Sequence, residues 1–253
     1  MEKVLLSEVN GVFRVGEVVQ RPARAWSASV ARFLGHLEGY DLPAEKVLST
    51  DENFQISEFA HGEMVHPGVW KDDALYEVGR LLARLHGCAA DFGQDDNDIW
   101  KPWYLREIGD AHGRIVCHGD IAPWNVITKD GFPKVLVDWD CAGLLDPMVE
   151  FARVCWLFVQ LHDDDLARLH GLPSAEKRAE QLRIMADAYG LSPSQRKDLI
   201  ERILEVIICE TAHEAIDPGL TFDSEGSLWG FAWRSRSLYW IWRNRDVLGK
   251  SLL

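Results

Sequence analysis

Between two short runs of β-branched and apolar residues, Ile115-Val116-Cys117 and Val126-Ile127, the chain carries His118, Asp120 and Asn125 at close spacing. The flanking runs read as strands, so the polar residues sit on a loop held at both ends. A third apolar run, Lys134-Val135-Leu136-Val137, ends in Asp138-Trp139-Asp140. A loop carboxylate, a nearby amide and a carboxylate after the next strand meet the needs of phosphoryl transfer. That reaction wants a base or orienter for a hydroxyl, and oxygen ligands for Mg²⁺ bridging the phosphates. Asp120 is then the catalytic base or orienter. His118 completes the catalytic loop, bracing it by hydrogen bonds more than transferring protons. Asn125 and Asp138 are the metal ligands, and Asp140 either holds a second metal or bonds to loop backbone. Trp124, beside Asn125, walls the site.

The elements that must position these residues follow from periodicity and turn chemistry. Val4-Leu5-Leu6, Val12-Phe13-Arg14-Val15 and Val18-Val19-Gln20-Arg21 read as a strand meander with turns at Asn10-Gly11 and Gly16-Glu17, stopped by Pro22. Ser27 to Leu37 reads as a helix with Val30, Phe33, Leu34 and Leu37 on one stripe. Val47-Leu48 and Phe54-Gln55-Ile56-Ser57 close a small sheet. Asp72 to Cys88 is strongly amphipathic and is expected to end at Gly87. Asp146-Pro147 opens a helix through Val159. From Ala175 onward the pattern is helical, over 176–189, 194–214 (entered through Ser192-Pro193) and 228–247.

Composition excludes several classes. A chain of 253 residues with 47% apolar and 26% charged residues can bury a sizeable core. The net charge of −13 argues against a nucleic-acid partner, which needs a Lys/Arg surface. Five cysteines without a C-x-x-C pair read as buried thiols in a reducing compartment. The longest apolar run, Val154 to Val159, is too short to span a bilayer, so a soluble, cytoplasmic protein without membrane partners is expected. The sequence carries no signal for oligomeric state.

His118-Gly119-Asp120 with Asn125, followed by Val137-Asp138-Trp139-Asp140, resembles the aminoglycoside phosphotransferase and choline kinase family, within the protein-kinase-like fold. The resemblance implies an α+β, two-lobed architecture: a small antiparallel-sheet lobe over residues 1–60 that binds nucleotide, and a mainly helical lobe over 61–253 for catalysis and the acceptor. It implies ATP or GTP with Mg²⁺. The hairpin loop Ser7 to Gly11, with Ser7, would cover the phosphates, and backbone near Ser57, Phe59 and Ala60 would meet the nucleobase edge. The family's third strand carries a Lys or Arg on the phosphates, paired with a helix Glu. Counting back from Pro22 puts that position at uncharged Gln20, and no acid precedes Glu38 on the following helix, so the ion pair is absent by this count. Arg21 is the expected substitute, reaching the cleft through a twist or bulge, with Arg14 and Arg24 as alternatives.

The acceptor pocket is expected among the C-terminal helices, with Trp124, Asp163, Glu210 and Glu214 as candidates. Glu210 and Glu214 share a helix face. Carboxylates with tryptophans suit an aminoglycoside-like or choline-like cation. The function expected is an O-phosphotransferase acting on a small-molecule hydroxyl. A nucleotide-binding pseudokinase without turnover is the alternative. A two-metal phosphoesterase is disfavoured, because the further His and Asn clusters it needs are lacking.

Overall fold

The computed structural model describes residues 3–8, 10–221 and 224–253. Strands β1 (Lys3–Ser7), β2 (Val12–Val15) and β3 (Val18–Pro22) form the expected meander. Gly11 and Gly16 turn it with φ of 63° and 62°, which glycine adopts without a Cβ clash. With β4 (Val47–Thr50) and β5 (Phe54–Glu58) they make a five-stranded antiparallel sheet in the order β1-β2-β3-β5-β4. Pro22 does not stop β3; it is the last paired residue, opposite Phe54, where a missing N–H is tolerated. Helix α1 (Ser27–Glu38) lies against β4 and buries Val30, Phe33, Leu34 and Leu37. The expected phosphate loop, Ser7 to Gly11, includes Val9, which lies outside the described residues.

Helix α2 (Asp72–Ala90) runs past Gly87. Gly87 is exposed, and continuing the helix by another turn buries Ala89. That packing offsets the roughly 1 kcal/mol cost of a mid-helix glycine. The segment carrying His118, Asp120, Asn125 and Asp138 is built from two small ribbons. Strands β7 (Val126–Lys129) and β8 (Phe132–Leu136) pair with each other, while β6 (Ile115–Cys117) pairs with β9 (Gly143–Leu145), a short strand absent from the periodicity reading.

Helix α3 (Pro147–Phe158) starts as expected at Asp146, whose side chain accepts the Met148 N–H. All of its residues from Val149 to Phe158 are buried, including Glu150 and Arg153, so it is the axis of the helical part. Around it lie α5 (Ala175–Tyr189), α6 (Pro193–Ile216) and α7 (Trp229–Leu252); α5 packs on α2 and α7, and α6 on α3 and α7. A capping box between Ser192 and Gln195 opens α6. The run Asp163-Asp164-Asp165 is the start of a further helix, α4 (Asp164–His170), capped by Asp163. The whole is a two-lobed α+β fold: an antiparallel sheet with one helix, and a helical part carrying the ribbons. Among the described residues no helix is long and apolar enough to cross a membrane.

Candidate active site

The loop after β6 is clamped backbone atom by backbone atom. Gly119 has φ of 81°, and a Cβ there would lie 2.3 Å from the Cys141 carbonyl oxygen, so only glycine fits. Its N–H donates to Glu150 Oε1 at 2.5 Å, and its carbonyl accepts the Trp103 indole N–H at 2.8 Å. Glu150 is in turn held by His86 Nε2 at 2.9 Å, which gives His86 the packing role its helix position suggests. His118 is fully buried between Trp139 and the loop. Its Nδ1 accepts the Asp120 N–H at 3.2 Å, leaving Nε2 to donate to the Val137 carbonyl at 3.1 Å. With both nitrogens committed to backbone groups, His118 braces the loop.

Asp120 keeps 24% of its side chain exposed, enough to meet a substrate. Burial raises its carboxyl pKa above the ordinary value, opposed by the Arg153 guanidinium and by His118. Asn125 Nδ2 donates to the Asp120 carbonyl at 2.9 Å and to its Oδ2 at 3.1 Å. That contact turns the Asn125 amide so that its oxygen faces away from Asp120. Asp138 adopts a left-handed conformation with φ of 65°, a strained geometry for a side-chain-bearing residue that is typical of functional positions. Its side chain is 41% exposed and lines the same cavity as Asn125. One neutral and one anionic oxygen on a shared cavity form a donor set that fits Mg²⁺, which takes few protein ligands.

That cavity, about 400 Å³, opens between the sheet and the catalytic ribbons. Leu6, Val12, Val19, Met64, Ile127 and Val137 supply apolar walls from both sides. Ser7, Phe59 and Ala60 line it. The Phe59 N–H is used by the Glu17 carbonyl and the Glu58 N–H by the Lys46 carbonyl. The Ala60 N–H donates to no described residue, and Ala60 lines the cavity. Ser57 departs from expectation. It is buried inside the sheet between its β3 and β4 partners, and its hydroxyl donates to Glu45 at 2.5 Å. It therefore supports Glu45 instead of reaching the cavity.

Arg21 and Val19 both line the cavity, as alternate residues of one strand face, and β3 keeps regular register with both neighbours. No bulge or twist is needed: Pro22 belongs to the strand, so counting back from it as a stop assigns Gln20 the wrong face. Arg21 is buried, with Glu45 at 3.3 Å, Asp138 at 3.3 Å and Asp140 at 3.6 Å. Burial works against its charge, but Glu45, Asp140 and Asp138 together hold its pKa above the ordinary value. The ion pair that the helix sequence lacks is thus present. Its acid is Glu45, in the segment leading to β4, and sequence reasoning missed it because the pairing needs the folded sheet.

Comparison with known proteins agrees with this geometry. A sequence model described as "Phosphotransferase enzyme family" matches residues 110–171, the span from before β6 through α4. The trifolitoxin immunity protein of Rhizobium leguminosarum bv. trifolii is 36% identical over 247 residues, covering 95% of this chain and 94% of that protein. The chain belongs to the phosphotransferase enzyme family. Among solved structures, an amicoumacin kinase in complex with AMP-PNP and Ca²⁺ superposes with a TM-score of 0.70 at 11% identity, over 98% of this chain and 88% of that one. A microcompartment-associated aminopropanol kinase gives 0.62 at 12% identity, over 100% and 93%. At such identities the likeness is one of fold, and the fold is kinase-like.

The acceptor candidates of this phosphotransferase-family chain separate sharply. Trp124 lines the cavity beside Asn125. Glu210 does not present itself to a substrate: it is buried and bound by Arg153 at 2.9 Å, Tyr104 at 2.5 Å and Arg234 at 3.1 Å. Burial alone would raise its carboxyl pKa, but Arg153, Tyr104 and Arg234 hold it below the ordinary value. Glu214 pairs with the same Arg234 at 3.0 Å. Asp163 Oδ1 caps α4 and meets Arg236 at 2.7 Å, while its Oδ2 is buried without a partner among the described residues. Arg153 links this network to the front of the site, since it also lies 2.9 Å from Asp120. Arg153 belongs to no motif; the available signal is a charged residue, with Glu150, in a mostly apolar helix.

Proposed function

We propose that the protein transfers the γ-phosphate of ATP or GTP to a hydroxyl of a small molecule. The observation that carries this reading is the convergence of Asn125, Asp138 and Arg21 on one nucleotide-sized, apolar-walled cavity, with Asp120 hydrogen-bonded to Asn125 at 3.1 Å. Residues 1–60 supply the nucleotide side, through Ser7, Arg21, Phe59 and Ala60; residues 61–253 supply the catalytic groups and the acceptor side. Asn125 and Asp138 would hold Mg²⁺, which when bound neutralises phosphate charge. Asp120 orients the acceptor hydroxyl and takes its proton as the new oxygen–phosphorus bond forms. The bond from γ-phosphorus to the bridging oxygen breaks, and the nucleoside diphosphate leaves with that electron pair.

The non-catalytic reading drew on a missing strand cation and its acid, and Arg21 with Glu45 now supplies such a pair. Identity to an immunity protein over nearly the whole chain supports a protective role, in which the acceptor is a toxic compound inactivated at its hydroxyl. Five free cysteines and a nucleotide requirement fit a cytoplasmic setting. The test is ADP formation against a panel of alcohols with Mg²⁺, run beside Asp120→Asn. Acceptor-dependent ADP from the parent protein and none from the variant is expected; equal activity in both would remove Asp120 from the mechanism.

A further inference from the structure

Trp124 has a second side. Beyond it lies another cavity, of about 310 Å³, whose wall is made by His66, Trp124, His162, His170, Trp229 and Trp233, with prolines, leucines and one glutamine completing it. Pro123 and Trp124 belong to the short 3-10 turn Pro123–Asn125 that follows Asp120, so the cavity adjoins the catalytic loop on the side away from the nucleotide. None of its lining residues is a carboxylate, a lysine or an arginine. The His66 ring meets Trp124 edge to face at 5.2 Å, and His162 meets Trp233 at 5.5 Å. The Trp233 indole donates to His162 Nδ1 at 3.3 Å, which leaves the His162 proton on Nε2 as a neutral donor. Burial lowers the pKa of His66, and takes His162 down to about 3, so these rings stay uncharged at neutral pH.

No carboxylate lines this cavity, and those of the helical part face arginines: Asp163 Oδ1 meets Arg236, its Oδ2 being buried without a partner among the described residues, Glu210 meets Arg153 and Arg234, and Glu214 meets Arg234. A polycation bound here would lose its hydration with only indole faces, and no counter-charge, in return. Flat apolar faces with a few neutral hydrogen-bonding groups suit the opposite chemistry.

We propose that this cavity is the acceptor site and that it takes an uncharged alcohol with an aromatic or heteroaromatic body, not an aminoglycoside-like or choline-like cation. The proposal rests on the phosphotransfer reading above and names its substrate class. The chemistry is unchanged: the acceptor oxygen bonds to γ-phosphorus, the diphosphate leaves, and the hydroxyl proton passes to Asp120.

The test uses indole-3-ethanol and tyrosol as neutral aromatic probes, and choline and kanamycin as cationic ones. Binding to the full-length protein is measured by calorimetry without nucleotide, and ADP formation is measured separately. Both aromatic alcohols are expected to bind at least about tenfold more tightly than either cation. Trp229→Ala, a largely exposed position in the first turn of α7, should weaken them by about three- to tenfold, and His162→Asn should weaken them similarly. Equal or tighter binding of choline or kanamycin overturns the proposal, as does no detectable binding of either aromatic alcohol. Probes that bind but never yield ADP would sink the phosphotransfer reading and leave the pocket assignment standing. ADP with kanamycin alone would do the reverse.

Discussion

Replacing Arg153 with methionine keeps most of the side-chain length and removes the one cation that touches both Asp120 and Glu210, each at 2.9 Å. The side chain is only 6% exposed, so the Coulomb contact is weakly screened. Taking one partner out of a buried ion pair typically costs about 3–5 kcal/mol, because the remaining charge stays buried without its match. In a domain of this size about 1 kcal/mol moves Tm by about 2–4 °C, so Arg153→Met should melt roughly 6–20 °C lower. Glu210 keeps Arg234 at 3.1 Å after this change, so the charge left without its match is chiefly that of Asp120. A second, independent effect falls on Asp120. Burial already raises its carboxyl pKa, and Arg153 is the first of the groups opposing that rise. Without Arg153 the carboxylate form becomes scarcer at a given pH, so the acid limb of the kcat/KM profile must move to higher pH. Thermal unfolding and a pH–rate profile read the two effects separately. A Tm within about 2 °C of the parent, together with an unmoved acid limb, would show that the pair neither stabilises the helical part nor tunes the base.

Three further outcomes follow from the same geometry. Asp120→Asn should lower turnover by about 10²–10⁴-fold while nucleotide affinity, measured by titration, stays near the parent value; a comparable loss of affinity would make Asp120 a binding residue. Arg21→Ala should weaken MgATP binding by about 10- to 150-fold, the range for a hydrogen bond to a charged group, whereas Gln20→Ala on the opposite strand face should leave it unchanged; the reverse pattern would mean that the strand face is misassigned. Glu150 and Glu210 are both buried with carboxyl pKa values held below the ordinary 4.5, Glu150 by His86, His118 and the Gly119 N–H against the opposing effect of burial. Their unfolded forms take up protons first, so their contribution is present above about pH 4.5 and lost as pH falls through the folded values. Melting curves from about pH 6 down to about pH 3.5 should show that decline, and Glu150→Gln should shrink it.

The catalytic loop was legible because its chemistry is local. Asp120 and Asn125 share one loop, Asp138 follows two short strands of β-branched and apolar composition, and the expected helices have apolar stripes or caps that a linear reading can find. What escaped depends on contacts across the fold. Glu45 belongs to no motif; only pairing of β3 with β5 and β5 with β4 brings it to Arg21. The choice between Gln20 and Arg21 turns on strand phase, and phase cannot be counted from a proline that is itself inside the strand. Helix α4 has no buried residue and hence no stripe, so its first turn looked like a bare acidic run. Glu210 and Glu214 do share a helix face as expected, but which arginines that face meets is decided by α3 and α7, not by α6.

On the proposed phosphotransfer reading, the surroundings of Arg21 would also act as a charge filter. Glu45, Asp138 and Asp140 outnumber the single guanidinium they surround, which leaves the floor of the cleft with two negative charges in excess. A bare nucleoside triphosphate, itself strongly anionic, is repelled from such a floor, while the same triphosphate already carrying a divalent cation arrives with much of its charge cancelled. Selection among the cell's nucleotide species would then begin before any base or phosphate is recognised, an electrically mismatched polyanion being turned away by the carboxylates proposed to face the metal.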